Sequence, residues 1–331
     1  MSEDEEFPKY GLKDLPGVGD ATLKKLRDAG ILTLKALAIC PIGKIVNEVG
    51  LGEKTAEKII KVALDLESPS LGAKNARELF ESRKDLSRIT SGGTELDKLL
   101  SGTCHKNDDF HGGFEAGSLT ELFGEFRTGK TQICHQLCVN VQLPYDQGGL
   151  EGKAYYIDTD NSFRPERIIQ MAEELYLDYN KVLNNVIVSR AYNSDHQILL
   201  VKEAPKIISE HGIKVLVLDN LISHFKAEYL GRGNLRLLRS LLRSHLTDLL
   251  SLANTFQDLV IVYTNQVRIR HNVFYGDPIR HLGGHIVAHL STTRVYLRKG
   301  KGEQRIAHIV KSPYLPDDYA IFSIQEGGIR D

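Results

Sequence analysis

Nine residues, GEFRTGKTQ at 124–132, hold the pattern GxxxxGK[ST] in full: Gly124, Glu125, Phe126, Arg127, Thr128, Gly129, Lys130 and Thr131, with Gln132 following. A loop of this composition cradles nucleotide phosphates. Its glycines let backbone N–H groups approach them, Lys130 supplies positive charge, and the Thr131 hydroxyl can ligate Mg²⁺. Three more polar residues close apolar runs where they would complete such a site. Asp219 ends VLVLD and suits a carboxylate acting on the Mg²⁺ shell. Asp160, in IDTDN, suits the group that orients an attacking water, and Gln266, in YTNQV, is a neutral amide able to sense a γ-phosphate. Asp158 shares Asp160's side of the strand, and the sequence leaves open which of the two faces the site. The chemistry implied is ATP hydrolysis with Mg²⁺.

These residues need a strand before the loop, a helix after it, and further strands ending alongside. SLTELFG (118–124) and TQICHQLCVNVQL supply the first two. AYYIDT (154–159), NVIVSRA (185–191), KVLVLDN (214–220) and DLVIVYTN (258–265) read as buried strands, with helical stretches near 130–143, 163–176, 194–209 and 233–253. That alternation predicts an α/β core with a mostly parallel twisted sheet covered on both faces. RITSG (88–92) is expected to be the core's first strand, and the short alternating runs after 290 to be antiparallel strands at a sheet edge.

An internal echo lies upstream. LPGVGDATLKKLRDAG (15–30) and VGLGEKTAEKIIKVAL (49–64) each set a Gly-x-Gly turn before an amphipathic helical pattern. Backbone N–H groups at such helix starts, here near Gly17 and Gly19, can hold a nucleic-acid phosphate, with Lys24, Lys25, Lys54 and Lys58 close by. This resembles a helix-hairpin-helix DNA-binding unit. A small bundle whose glycines only turn the chain fits the same residues. The expected organisation is an all-α domain over 1–67, a linker over 68–87 signalled by the composition change at LESPSLG (66–72), and the core over 88–331.

Composition sets the limits. Lys+Arg (42) nearly cancels Asp+Glu (43), so any nucleic-acid affinity must come from local patches. Four cysteines in 331 residues form no disulfide ladder, and Cys134 and Cys138 are expected as buried thiols in a reducing compartment. The acidic start MSEDEEFPKYG and the lack of an apolar run near the ~20 residues of a membrane span predict a soluble, intracellular protein.

Taken together, LPGVG, GEFRTGKTQICHQL, YYIDTDNSFRPERI, SHFKAEYLGRG, TNQV, GDPIRHLGGHIVAH and STTRVYLRKGKGEQRIAHI resemble the RecA/RadA recombinase family, most of all its archaeal and eukaryotic branch. The resemblance runs from about residue 11 to the C-terminus. It implies a RecA-type ATPase core that binds ATP between neighbouring protomers, forms filaments on single-stranded DNA and exchanges strands with duplex DNA. It implies that Lys130 and Thr131 meet phosphate and Mg²⁺, Asp219 the metal's outer shell, Asp160 the water and Gln266 the γ-phosphate. Arg167 would lie against adenine, and Lys311 and Pro316 would meet a neighbour's nucleotide. Tyr229 to about Asn234, with Arg232, matches the family's first DNA loop. Val267–Gly283, with Arg268, Arg270 and Arg280, matches its second, and His289 a histidine of the protomer interface; a buried structural histidine fits that position too. Arg236, Arg239 and Arg243 add one basic helical stripe.

The chain departs from the family at four places. Asp160 replaces a glutamate, which predicts slow hydrolysis with ATP binding preserved. Ala73, in Ala73-Lys74-Asn75-Ala76, replaces the phenylalanine that plugs the next protomer, which weakens the expectation of a filament or ring; Leu71 is a candidate substitute, with no physical argument that it reaches the pocket. Lys311 replaces an acidic residue, so its ammonium would face phosphate or solvent. TCHKNDDFH (103–111) is an insertion whose Cys104, His105, Asp108, Asp109 and His111 lack metal-ligand spacing. Two other functions share the core: a non-filamentous accessory paralogue that binds ATP and DNA, favoured by Ala73 and Asp160, and a helicase motor, disfavoured by the GRG and LGGH segments.

Overall fold

The computed structural model describes residues 11–101, 112–229, 231–269, 279–281 and 284–331. The chain divides into two compact units at Ser82/Arg83, with Lys202–Lys206 grouped with the first, so the division falls inside the linker read from sequence.

The N-terminal unit is all-α. Helices Asp20–Asp28, Leu34–Ala38 and Glu53–Leu66 bury Leu26, Leu37, Ala56, Ile59 and Ala63 in a core of their own, joined by Ile45 from the turn Ile45–Val49. In Gly17-Val18-Gly19 the valine is buried and both glycines are exposed. The chain therefore anchors itself by Val18 and turns through Gly17, whose φ of +93° favours glycine. Leu71 ends a short helix, Ser68–Leu71, and packs against this same core, while Ala73 is exposed.

Among the described residues, ten strands form the sheet of the large unit. Five parallel strands position the site: β3 (Leu119–Gly124), β4 (Lys153–Asp158), β5 (Val186–Arg190), β6 (Ile213–Asp219) and β7 (Val260–Ile269), in the spatial order β3-β7-β6-β4-β5. β3 is buried along its whole length, Thr120 and Glu121 included, and β6 and the sheet-bound part of β7 are near-continuous apolar runs because helices cover both faces. β9 (Thr293–Lys299) extends the sheet parallel to β3, and β10 (Gln304–Lys311), β11 (Tyr319–Gln325) and β12 (Gly328–Arg330) follow antiparallel, as the alternating C-terminal runs predict. β8 (Ile279–His281) pairs antiparallel with the far end of β7.

Two strand readings need correction. RITSG yields only β1 (Arg88–Ile89), which pairs with β2 (Phe114–Glu115) in a separate two-stranded sheet, because Gly92, at φ +92°, turns the chain before a longer strand can form. NVIVSRA forms β5, yet that strand pairs on one side only and leaves Val188 41% exposed, so it is an edge and not a buried strand.

Candidate active site and nucleic-acid interface

The parallel strands bring their C-terminal ends to one edge of the sheet, the place where α/β folds bind ligands. The phosphate loop leaves β3 there and enters helix Lys130–Asn140. Its glycines are required by different neighbours. A Cβ on Gly124 would stand 2.1 Å from the Leu297 carbonyl oxygen, and Gly129 holds φ +100°. Arg127 occupies the left-handed region with φ +64°, a strain of about 1 kcal/mol held at the loop tip. Glu125, Phe126 and Arg127 are exposed, with the Arg127 guanidinium 5.6 Å from the Phe126 ring centre, while Thr128 and Gly129 are buried.

Lys130 Nζ donates to the Gly124 and Glu125 carbonyls at 3.0 and 2.7 Å. Burial lowers its pKa, opposed first by Asp219 and then, among others, by Asp160. Thr131 Oγ1 donates to Asp219 Oδ2 at 2.7 Å, joining the loop helix to β6. Asp219 is the most heavily engaged carboxylate of the site. Tyr156 Oη donates to Oδ2 at 2.9 Å, Ser162 Oγ to Oδ2 at 3.3 Å, and Thr264 Oγ1 to Oδ1. Sequence reasoning missed these three hydroxyls; Tyr156 and Thr264 were signalled as polar groups inside the apolar runs of β4 and β7, while Ser162, in the polar turn after β4, carried no such signal. Behind them, His135 Nδ1 meets the Thr131 carbonyl at 2.7 Å and its ring stacks on Phe163.

The turn after β4 gives Asp158 and Asp160 different surroundings. Asp158 accepts from the backbone N–H groups of Asp160, Ser162 and Phe163, so its carboxylate holds the turn and is 4% exposed. Asp160 is exposed at the sheet edge, with Oδ2 accepting from Asn220 Nδ2 at 2.9 Å. Burial of its carboxyl raises its pKa; a hydrogen bond with Ser223 opposes this, and Asp219 and Asp158 add to it. Gln266 is the register partner of Gly124 and is exposed. Its neighbour Asn265 is clamped by Glu121, which also pairs with Arg294 at 2.5 Å. The structure thus gathers Lys130, Thr131, Asp160, Asp219 and Gln266 at one edge.

The donor set suits Mg²⁺. A hydroxyl and a buried carboxylate 2.7 Å apart are hard oxygen donors, few in number, as expected of an ion completed by phosphate and water. Among the described residues no group of three or more His, Cys, Asp and Glu side chains forms a metal cluster.

Arg167 Nε donates to Gln132 Oε1 at 2.6 Å, Nη2 to the Gln325 carbonyl at 2.6 Å, and Nη1 to the Glu326 carbonyl. It ties the loop helix to the β11–β12 turn. Lys311 neither faces solvent freely nor stands apart. Its Nζ donates to the carbonyls of Ala288, His289 and Ser291 at 2.8, 3.0 and 2.7 Å, closing the C-terminus of helix Gly284–Leu290. Burial lowers its pKa, with Arg294 adding to the shift. Pro316 is exposed between β10 and β11, and His289 is exposed rather than buried.

Of the DNA candidates, Arg268 and Arg280 are register partners in the β7–β8 ladder, opposite one another. Arg270, the rest of 270–278, residues 282–283 and the 103–111 insertion lie outside the described residues. Arg232 begins a single turn, Arg232–Asn234, that leads into helix Leu235–Thr255. No residue of that helix before Leu242 is buried, and Arg236, Arg239 and Arg243 are exposed along it. Farther along, His245 is buried beside Gln197, its Nε2 3.1 Å from Gln197 Nε2, and Gln197 Nε2 also donates to the Leu221 carbonyl. Burial pulls the His245 pKa down to about 3. Cys134 and Cys138 are buried, as expected of structural thiols. Among the described residues no helix is long and apolar enough to cross a membrane.

Known proteins match both units. The family model described as Rad51 matches residues 82–331, and one described as a SAM-like helix-hairpin-helix tandem matches residues 11–65. The chain is 45% identical over 331 residues to the DNA repair and recombination protein RadA of Aeropyrum pernix, covering 100% of this chain and 99% of that one. It is 45% identical over 321 residues to the protein of the same name from Metallosphaera sedula, covering 97% and 95%.

Proposed function

The chain belongs to the Rad51 family, and from that premise we propose that it is an ATP-driven recombinase that forms filaments on single-stranded DNA and exchanges homologous strands. Its role is DNA recombination and repair, and it binds nucleotide and DNA. The observation that carries the mechanism is the Thr131–Asp219 contact, flanked by Lys130 and by a carboxylate, Asp160, whose neighbour Asp158 is fully occupied elsewhere.

In this reading the loop N–H groups and Lys130 hold the β- and γ-phosphates, and Thr131 and Asp219 hold Mg²⁺. The ion, when bound, neutralises phosphate charge. Asp160 accepts the proton of the attacking water as its oxygen bonds to the γ-phosphorus and ADP leaves. The raised pKa of Asp160 makes it a stronger base than an ordinary carboxylate, while its short side chain slows the step. Gln266, in register with Gly124, passes the γ-phosphate state along β7 to the DNA loop. Arg268 and Arg280, register partners in the β7–β8 ladder, are assigned to DNA phosphate. Arg232 and Arg270 add phosphate contacts, and Gly17 and Gly19 offer backbone N–H groups to duplex DNA. Arg167 borders the adenine and Pro316 faces the nucleotide of a neighbouring protomer, whereas Lys311 does not meet phosphate, because its three N–H groups are taken up by the Ala288, His289 and Ser291 carbonyls.

One observation favours a second reading, an accessory paralogue without filaments: Ala73 is exposed and small, and Leu71 is already packed in the N-terminal core. Negative-stain electron microscopy with long single-stranded DNA and Mg²⁺ separates the two. Helical filaments that need ATP establish the recombinase reading. Isolated particles, converted to filaments by Ala73→Phe, establish the other. Phosphate release stimulated by single-stranded DNA and lost in both Lys130→Ala and Asp160→Asn is the expected catalytic result; full turnover in Asp160→Asn would remove Asp160 from the chemistry.

A further inference from the structure

Asp160 carries a carboxylate one methylene shorter than the family's glutamate. The structure contains a side chain that meets it. Asn220, which follows Asp219 and is 2% exposed, donates from Nδ2 to Asp160 Oδ2 at 2.9 Å. Its own orientation is over-determined. Oδ1 accepts from the Ile222 and Ser223 N–H groups, each at 2.9 Å, so the amide must turn its NH₂ toward Asp160. Its backbone N–H donates to Thr159 Oγ1 at 2.7 Å, and that hydroxyl donates to the Asn220 carbonyl at 3.0 Å. Thr159 N donates in turn to the Asp219 carbonyl at 2.8 Å. The turn that bears Asp160 and the end of β6 are thereby joined residue by residue. Asn220 also caps the N–H of Ser223, the first residue of the helix that follows.

We infer that Asn220 is the positioning residue for Asp160, a buried amide that fixes one carboxylate oxygen from the Asp219 side and leaves the other for the attacking water. The inference rests on Asp160 being the group that acts on that water. An asparagine locked at both ends offsets the retraction of a short side chain by restricting where the carboxylate can go. It governs turnover and leaves nucleotide affinity alone, because neither of its side-chain atoms is directed at the phosphate loop.

The test uses Asn220→Ser in the full chain. Serine keeps an oxygen that can accept from the turn N–H groups but is too short to reach Asp160. Three quantities are read: phosphate release from ATP with Mg²⁺ and single-stranded DNA, affinity for a fluorescent ADP analogue, and the melting temperature of nucleotide-free protein. Since misplacement of about 1 Å can cost ~10²-fold, kcat should fall at least about tenfold, with KM for ATP and analogue affinity within about twofold. Adding Asp160→Glu, which restores reach, should return kcat to within about threefold of the parent. In nucleotide-free protein, Asn220→Ser should lower the melting temperature in the parent and not in an Asp160→Ala background. Unchanged kcat, a loss that Asp160→Glu does not repair, or additive melting shifts would overturn the inference. Parental turnover in Asp160→Asn would instead fell the underlying reading, and the inference with it. An inactive Asp160→Asn beside a fully active Asn220→Ser would place the failure in the positioning role alone.

Discussion

Glycine turns open helices in both units of the molecule, and they are held in opposite ways. In the phosphate loop the surroundings leave no room: a Cβ on Gly124 would meet a carbonyl oxygen, and Thr131 at the helix start is bonded to Asp219 on another strand. In the N-terminal unit a Cβ on Gly17, Gly19, Gly50 or Gly52 would meet nothing within 4 Å. Gly17 and Gly50 are needed only for their positive φ, and Gly19 and Gly52 cap their helices with ordinary negative φ. The first site is built from within, so its shape persists whatever approaches. The second is an open surface, and each of its helices begins with an acidic residue, Asp20 or Glu53, that any phosphate bound there would have to pass. A shared local motif therefore says little about how specific a phosphate site is; the packing around it does.

The contrast can be broken most directly at Gly124. Gly124→Ala should abolish binding of a fluorescent nucleotide and lower the unfolding free energy by roughly 3 kcal/mol, because the opposing atom is backbone and cannot swing away. A urea midpoint equal to the parent's would show that the loop is not confined as described.

Acid sharpens the same contrast. No histidine precedes His105, so a buried-histidine effect can act only on the large unit. His245 is held neutral, with a folded pKa of about 3 against 6.5 for the exposed group. The unfolded chain therefore takes up a proton that the folded one refuses. The stability concerned is fully present above pH 6.5 and is lost as pH falls from there toward 3. The slope is about 1.4 kcal/mol per pH unit, so roughly 2 kcal/mol should disappear between pH 6.5 and pH 5. His245→Phe should flatten that part of the pH–stability curve; an unchanged slope would contradict it.

Smaller effects belong to the open site. Gly17→Ala should cost about 1 kcal/mol through its positive φ, seen as a lowered melting temperature. Gly19→Ala should leave stability within about 0.5 kcal/mol while weakening duplex-DNA binding severalfold in a fluorescence-anisotropy titration. Loss of folding in Gly19→Ala, or unaltered DNA binding, would mean that this glycine turns the chain and nothing more.

What the sequence could convey followed from how local each signal is. The phosphate loop, the apolar runs of β3, β4, β6 and β7, and the antiparallel C-terminal strands are each written in consecutive residues, and the structure has them. Asp158 and Asp160 could not be separated, because three backbone N–H groups of the following turn give them their different surroundings. Lys311 was unreadable for a related reason: the carbonyls it closes lie 20 to 23 residues away in sequence. The hydroxyls on Asp219 come from four different segments, and only the strand order puts them together. β5 was misjudged because composition records that a strand is apolar and not whether a second strand lies beside it.

β7 carries one more consequence. Its ten residues, Val260–Ile269, contain neither glycine nor proline. One stretch is gripped on both sides by β3 and β6, and the last three residues project into the ladder with β8. Mechanically this is a cantilever: clamped along the sheet, loaded at Gln266 near the lip of the clamp, and free for roughly 10 Å beyond it. A cantilever without a joint cannot absorb a tilt at its root. It delivers that tilt, enlarged in proportion to its overhang, to whatever rests on its tip. The backbone at Arg268 therefore feels small displacements beside the phosphate loop as larger ones, and a glycine in place of Val267 would act as a loosened bearing.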